Sequence, residues 1–97
     1  MAQFDVHRLD GGQLVVDMQT DLIGIDATRL VAPLRIAARY AEFPGLTPSV
    51  DIDDTRYIVR MQELAAVPGA ILGPPVLSLA PERDALKRAL DILIDGV

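Results

Sequence analysis

Few side chains in this sequence could do chemistry, and their spacing limits what that chemistry could be. There is one histidine, His7, and no cysteine. A typical transition-metal site draws on several imidazoles or thiolates, and nothing completes one around His7. A serine–histidine–carboxylate relay has no local support, although such relays are assembled by the fold and not by adjacency. Asp17, Gln19 and Asp21 recur at period two, which places them on one side of a strand. A row of polar side chains on one strand face does not by itself make an acid–base pair. Asp51, Asp53 and Asp54 could suggest a hard-cation site, but such a cage needs about six oxygen ligands and none are obvious. No metal, cofactor or catalytic residue is therefore expected.

The elements that position these groups follow from hydropathy and turn chemistry. Gln3 to Arg8 alternates, with Phe4 and Val6 on one face and Asp5 and His7 on the other, so His7 is expected at the surface. Asp10-Gly11-Gly12 is a turn signal, and Leu14-Val15-Val16 follows as a second strand, making a hairpin. Leu30 to Leu34 is a third apolar run, with Pro33 at an edge, bulge or strand end. Arg35 to Ala41 has helical propensity. Ser49 to Asp53 reads as a strand with Val50 and Ile52 inward, turning at Asp53-Asp54. Thr55 to Met61 pairs back, with Tyr57, Val59 and Met61 on one face and Arg56 and Arg60 on the other. A short helical turn is allowed from Met61 to Val67, then Ala70-Ile71-Leu72 reads as a strand stopped by Gly73-Pro74-Pro75.

From Pro81 the period changes to that of a helix. Proline and acidic residues suit a first turn. Leu86, Ala89, Leu90, Leu93 and Val97 fall on one face and Asp84, Arg88, Asp91 and Asp95 on the other. Gly96 is placed to end the helix. Strands followed by one terminal helix argue for an antiparallel sheet or small barrel.

The bulk composition agrees. At 97 residues, one domain spanning 1–97 is expected. Hydrophobic residues make up 51% and aromatics 4%, so the core must be aliphatic, with apolar surface left for a partner subunit. A net charge of −5 argues against nonspecific binding to nucleic acid or anionic membranes. No apolar run approaches the ~18 residues of a membrane span, and no signal-peptide pattern opens the chain. A cytoplasmic protein is expected.

The residues Val16, Asp17, Gln19, Asp21, Arg29, Val31, Pro33 and Leu34 also carry a resemblance. Together they resemble the V-D-x-Q-x-D run and R-x-V-x-P-L strand of the CcdB family, the toxin halves of type II toxin–antitoxin modules. The similarity continues through Val50, Ile52, Arg60-Met61, Ala66-Val67-Pro68 and Gly96. It implies an SH3-like antiparallel sheet with a C-terminal amphipathic helix, α+β or mainly β, assembled as a homodimer. It implies that Arg35 to Ala41 continues a strand into a connection, against its propensity.

The resemblance further implies inhibition of DNA gyrase by docking on its A subunit, through Leu22, Ile23, Asp91, Ile94, Asp95, Gly96 and Val97. The family pattern ends aromatic–Trp–Gly–aliphatic, with an asparagine one turn before the tryptophan. Asp95 stands at the tryptophan position and Asp91 at the asparagine position. Antitoxin contacts are implied on the first hairpin, at Arg8, Leu9, Asp10 and Gly11, where the connection is shorter and less basic than the family's. The antitoxin would bring a disordered tail that folds on binding, and the pair would co-repress its operon. Two other readings stay open. One is a homodimeric interaction protein of the same fold that no longer poisons gyrase. The other is a ribonuclease like the toxins that share this fold, which would need a cationic RNA groove.

Overall fold

Strand β3, Thr28–Ile36, is the spine of the molecule. The structure is a computed structural model that describes residues 2–21 and 28–96. Along one edge β3 pairs with β2, Leu14–Asp17, placing Val16 opposite Ala32. Its other edge is divided between two strands. Thr28 to Val31 pairs with β6, Ala65–Pro68, and Leu34 to Ile36 pairs with β5, Thr55–Val59. Pro33 falls where the neighbour changes, so its missing N–H breaks neither ladder. Its carbonyl accepts from the Arg60 N–H at 2.9 Å.

The remaining strands extend the sheet outward from this spine. β1, Asp5–Arg8, pairs with β2, and β4, Ser49–Ile52, pairs with β5. β7, Pro75–Ser78, pairs with the outer edge of β1, with an irregularity between Val6 and His7. The order is β4-β5-β3-β2-β1-β7, with β6 beside β3 and every pairing antiparallel. The sheet curls into a half-barrel, and helix α1, Arg83–Asp95, closes its concave side.

The two hairpin turns follow the expected chemistry. Gly11 and Gly12 both take positive φ, as do Asp53 and Asp54, conformations that glycine and short polar side chains tolerate. Val50 and Ile52 point inward as their alternation requires. The main core gathers Val6, Leu14, Val16, Ala32, Leu34, Val59 and Met61 under Leu86 and Ala89 of α1. A smaller cluster of Val15, Val31 and Leu72 lies on the opposite face.

Four expectations are corrected. Ala70-Ile71-Leu72 is not a strand: Gly69–Ile71 is a 3-10 turn, with Ile71 exposed. The segment expected only to stop that strand instead starts β7, whose edge position accommodates Pro75. Because β7 covers the far side of β1, His7 is completely buried and not at the surface. Its Nδ1 donates to the Gly73 carbonyl at 2.7 Å, while Nε2 has no partner among the described residues. β5 ends at Val59, and Met61 enters the core from a 3-10 turn, Met61–Glu63. β3 does run on to Ile36, as the resemblance implied, before a 3-10 turn at Ala37–Arg39.

The helix departs from its expected phase only in its last turn. Leu86 and Ala89 are buried and Leu90 is half-buried against the core. Leu93, expected inward, is 38% exposed. In that turn Ile92 is the half-buried residue, and it packs beside Gly45. A Cβ placed on Gly45 would sit 2.7 Å from Ile92 Cδ1, and Gly45 has φ +80°. The far end of the Ile92 side chain can shift to relieve that approach, so it is the positive φ that calls for glycine.

Candidate functional site

The motif residues of β2 and β3 converge on one buried guanidinium. Asp17 follows Val15 by two residues and Arg29 precedes Val31 by two, so the pair extends the line of the smaller core cluster. Arg29 Nε donates to Asp17 Oδ2 at 2.8 Å, and Arg29 Nη2 lies 2.7 Å from the same oxygen. Asp17 Oδ1 accepts from the Gln19 N–H at 2.9 Å. The Gln19 carbonyl accepts from Arg29 Nη2 at 3.2 Å, and Gln19 Oε1 accepts from the Leu30 N–H at 3.1 Å. Asp21 lies 3.8 Å from the guanidinium and accepts from the Gln3 N–H.

This network is a clamp. It ties the chain leaving β2 to the chain starting β3 and fixes both ends of the connection at 22–27. A buried charge survives only when paired and hydrogen-bonded, and Arg29, 1% exposed, meets that condition. Asp17, Gln19 and Asp21, for which the family resemblance implies a structural or dimer-adjacent role, all take part in this network. Leu22 and Ile23, assigned to target binding by resemblance, lie outside the described residues, as does Val97.

The C-terminal end of α1 gathers the other residues assigned to target binding. Gly96 takes the left-handed conformation, and its N–H returns to the Ile92 carbonyl at 2.9 Å. This caps the helix and fixes where its tip ends. Ile94 is 69% exposed, beside the exposed Leu93. Asp91 and Asp95 are also exposed, and neither has an ion pair among the described residues. The last turn holds no basic residue, so both carboxylates stand at the negative end of the helix dipole, where a cation would be favoured.

The residues assigned to antitoxin binding occupy the β1–β2 hairpin. Arg8, Asp10 and Gly11 are exposed and Leu9 is half-buried against the smaller core cluster. Arg8 donates to the Gly12 carbonyl at a long 3.4 Å, so its guanidinium is only loosely held.

Sequence reasoning missed a cluster beside this hairpin. Glu63 bridges two arginines, accepting from Arg35 Nη2 at 2.9 Å and Arg60 Nε at 2.7 Å. Both guanidiniums lie over the Tyr40 ring, 5.7 Å and 5.2 Å from its centre. Arg35 also donates to Gln13, whose own amide is fixed by the Leu14 and Leu34 carbonyls. The hydrogen bond from Arg35 holds the Glu63 carboxyl below its usual range, opposed by burial and aided by Arg60. The Glu63 hydrogen bond raises Arg35. Only Arg60 and Glu63, three residues apart, offered a local signal. Among the described residues no metal-ligating cluster of histidine and carboxylates forms, and no helix is long and apolar enough to cross a membrane.

A curled antiparallel sheet closed by one C-terminal helix is shared with several solved toxins. The Mycobacterium tuberculosis toxin MazF-mt6 matches with a TM-score of 0.76 at 18% identity, over 94% of each chain. An endoribonuclease from a mycobacterial species, in complex with its cognate antitoxin, matches at 0.79 and 13% identity, over 97% of this chain and 94% of that one. At such identities the likeness concerns the fold. The sequence match is more specific: residues 3–96 match the CcdB protein family, and the chain belongs to it.

Proposed function

We propose that this chain is the toxin of a type II toxin–antitoxin module and inhibits DNA gyrase by binding its A subunit, with no catalytic residue or cofactor of its own. Family membership supports the toxin assignment. The observation that carries the mode of action is the helix tip, where Ile94 is the most exposed large apolar residue among those described. A fixed apolar side chain held in water is a ready anchor for a partner. Leu22, Ile23, Gly96 and Val97 complete the surface in this reading, and two copies in a homodimer present it twice. The antitoxin binds across Arg8 to Gly11, and the complex of a structural neighbour with its antitoxin supports such a partner.

Asp91 and Asp95 favour a second reading, a homodimeric protein of this fold whose helix tip meets a cationic partner other than gyrase. Desolvating two carboxylates is costly unless cations meet them. Calorimetric titration against a gyrase A fragment separates the two. On the first reading the parent binds, and Ile94→Asp weakens binding at least tenfold, or about 1.4 kcal/mol. Asp95→Trp, which restores an apolar anchor, then tightens binding by a similar factor. Parent binding that Asp95→Trp abolishes would assign the carboxylates to recognition of gyrase itself. If neither parent nor Asp95→Trp binds, gyrase is not the target.

A further inference from the structure

The Arg35–Glu63 cluster borders a cavity of about 280 Å3, lined by Gly12, Gln13, Arg35, Arg39, Tyr40 and Tyr57 among others. Its charge runs against that of the molecule. The chain as a whole carries −5, yet the titratable side chains lining the cavity are two arginines, Arg35 and Arg39, and two tyrosines, and Arg35 shares Glu63 with Arg60 beside it. Arg39 has no ion pair among the described residues and is exposed. The Nε–H of Arg35 is buried out of a ligand's reach and its Nη1 and Nη2 donate to Gln13 and Glu63, so Arg35 offers a ligand only the remaining Nη hydrogens.

The geometry points to a binding site for a single nucleotide, with its phosphate on Arg39 and Arg35 and its base against Tyr40 or Tyr57. Arginine suits phosphate because its planar fork offers several donors to a tetrahedral anion. Tyrosine suits a base because every base has a stacking face. The Tyr40 ring packs against the guanidiniums of Arg35 and Arg60, which hold it in place. The cavity of about 280 Å3 lies just below the roughly 300–1,000 Å3 of drug-sized ligand pockets, which limits the ligand to one nucleotide at most. An acidic peptide would use the arginines but leave the two tyrosine faces unused. The site is separate from the helix tip, and the inference does not rest on the gyrase reading.

The free nucleotide and the phosphorylated end of a single strand share this chemistry. The test titrates the full chain with uridine 5′-monophosphate, a 5′-phosphorylated uridine trinucleotide, uridine, inorganic phosphate and a triglutamate peptide. Heats and backbone amide shifts are recorded together. The nucleotide is expected to bind with Kd below about 1 mM, shifting Gly12, Gln13, Arg39 and Tyr40. Arg39→Gln and Tyr40→Leu, both at exposed positions, should each weaken binding at least fivefold with Tm unchanged. A trinucleotide more than tenfold tighter than the monophosphate identifies a strand end, and equal affinities identify the free nucleotide. The inference is overturned if the nucleotide fails to bind, or if Arg39→Gln leaves its affinity unchanged. It is equally overturned if phosphate or uridine alone matches the nucleotide, or if triglutamate binds more tightly.

Discussion

Arg29 and Arg35 stand six residues apart on the same strand, at positions of the same alternation, yet they live in different environments. Arg29 is enclosed: its Nε and Nη2 meet one oxygen of Asp17, and a backbone carbonyl takes a further donor. Arg35 is about 30% exposed, shares Glu63 with Arg60, and has a buried Nε–H with no acceptor among the described residues. The curl of the sheet separates them, with β6 covering the first half of β3 and β5 the second. In a dry site a charge must be fully matched, and the match then serves the fold. At a half-wet site the matching can stay incomplete, because solvent reaches the outward Nη groups and a ligand can take its place. The first arginine therefore belongs to the scaffold and the second to a surface that can recognise something.

The largest expected effect is at the enclosed pair. Asp17→Ala leaves the Arg29 guanidinium buried without its counter-charge, and unfolding free energy should fall by about 3–5 kcal/mol. It also removes the acceptor for the Gln19 N–H. Urea denaturation followed by circular dichroism measures the loss. A change under about 1 kcal/mol would show that water reaches this site and that the contrast with Arg35 is false.

Arg29→Lys sharpens the same contrast by keeping the charge and removing the fork. A lysine ammonium cannot span Asp17 and the Gln19 carbonyl along the same line as Nε and Nη2. The expected loss is about 1–3 kcal/mol, that of one or two charge-assisted hydrogen bonds. Arg35→Lys, measured beside it, should lose less, because solvent replaces what Glu63 and Gln13 lose. Equal losses would mean that burial is not what distinguishes the two arginines.

What could be read from the sequence divides along the same physical line. The β1–β2 hairpin was legible because Asp10-Gly11-Gly12 is local turn chemistry, and α1 because its period is set within a few residues. The family resemblance marked Asp17, Gln19 and Asp21 as structural, but β2 ends at Asp17, and it is Arg29, twelve positions on, that gathers the three. β6 and β7 were missed as strands, since most of their residues are exposed and carry no alternation to read. His7 was misplaced for that reason alone: the partner that buries it is β7, almost seventy positions away. The Arg35 cluster was missed because Gln13, Tyr40 and Glu63 meet only when β2, β3 and the 3-10 turns fold together. Residues assigned to the helix tip by resemblance are exposed as a docking surface requires, among those described.

The smallest expected effect concerns Glu63, and its pH dependence fixes the sign. The hydrogen bond from Arg35 lowers the Glu63 carboxyl below its ordinary value near 4.5. A carboxyl depressed in the folded state contributes stability that is fully present above its unfolded value and is lost as pH falls through the folded one. The contribution should therefore be complete at neutral pH and fall progressively as pH drops from the unfolded value of about 4.3 through the lower folded one. The Glu63 hydrogen bond raises Arg35 further from its already high value, so its own titration lies far outside the pH 3–7 range and adds no slope. Because Glu63 is a third exposed, solvent screening holds the pair to about 1 kcal/mol or less. Glu63→Gln should then cost no more than that at pH 7 and progressively less as pH falls toward 3. Urea midpoints of parent and variant, taken between pH 3 and 7, give the difference directly and cancel the titration of every other carboxyl. Two curves that stay parallel across that range would show that Glu63 is not held by Arg35 in solution. The open arginine would then be Arg35 together with Arg39, and the cavity more cationic than the folded geometry indicates.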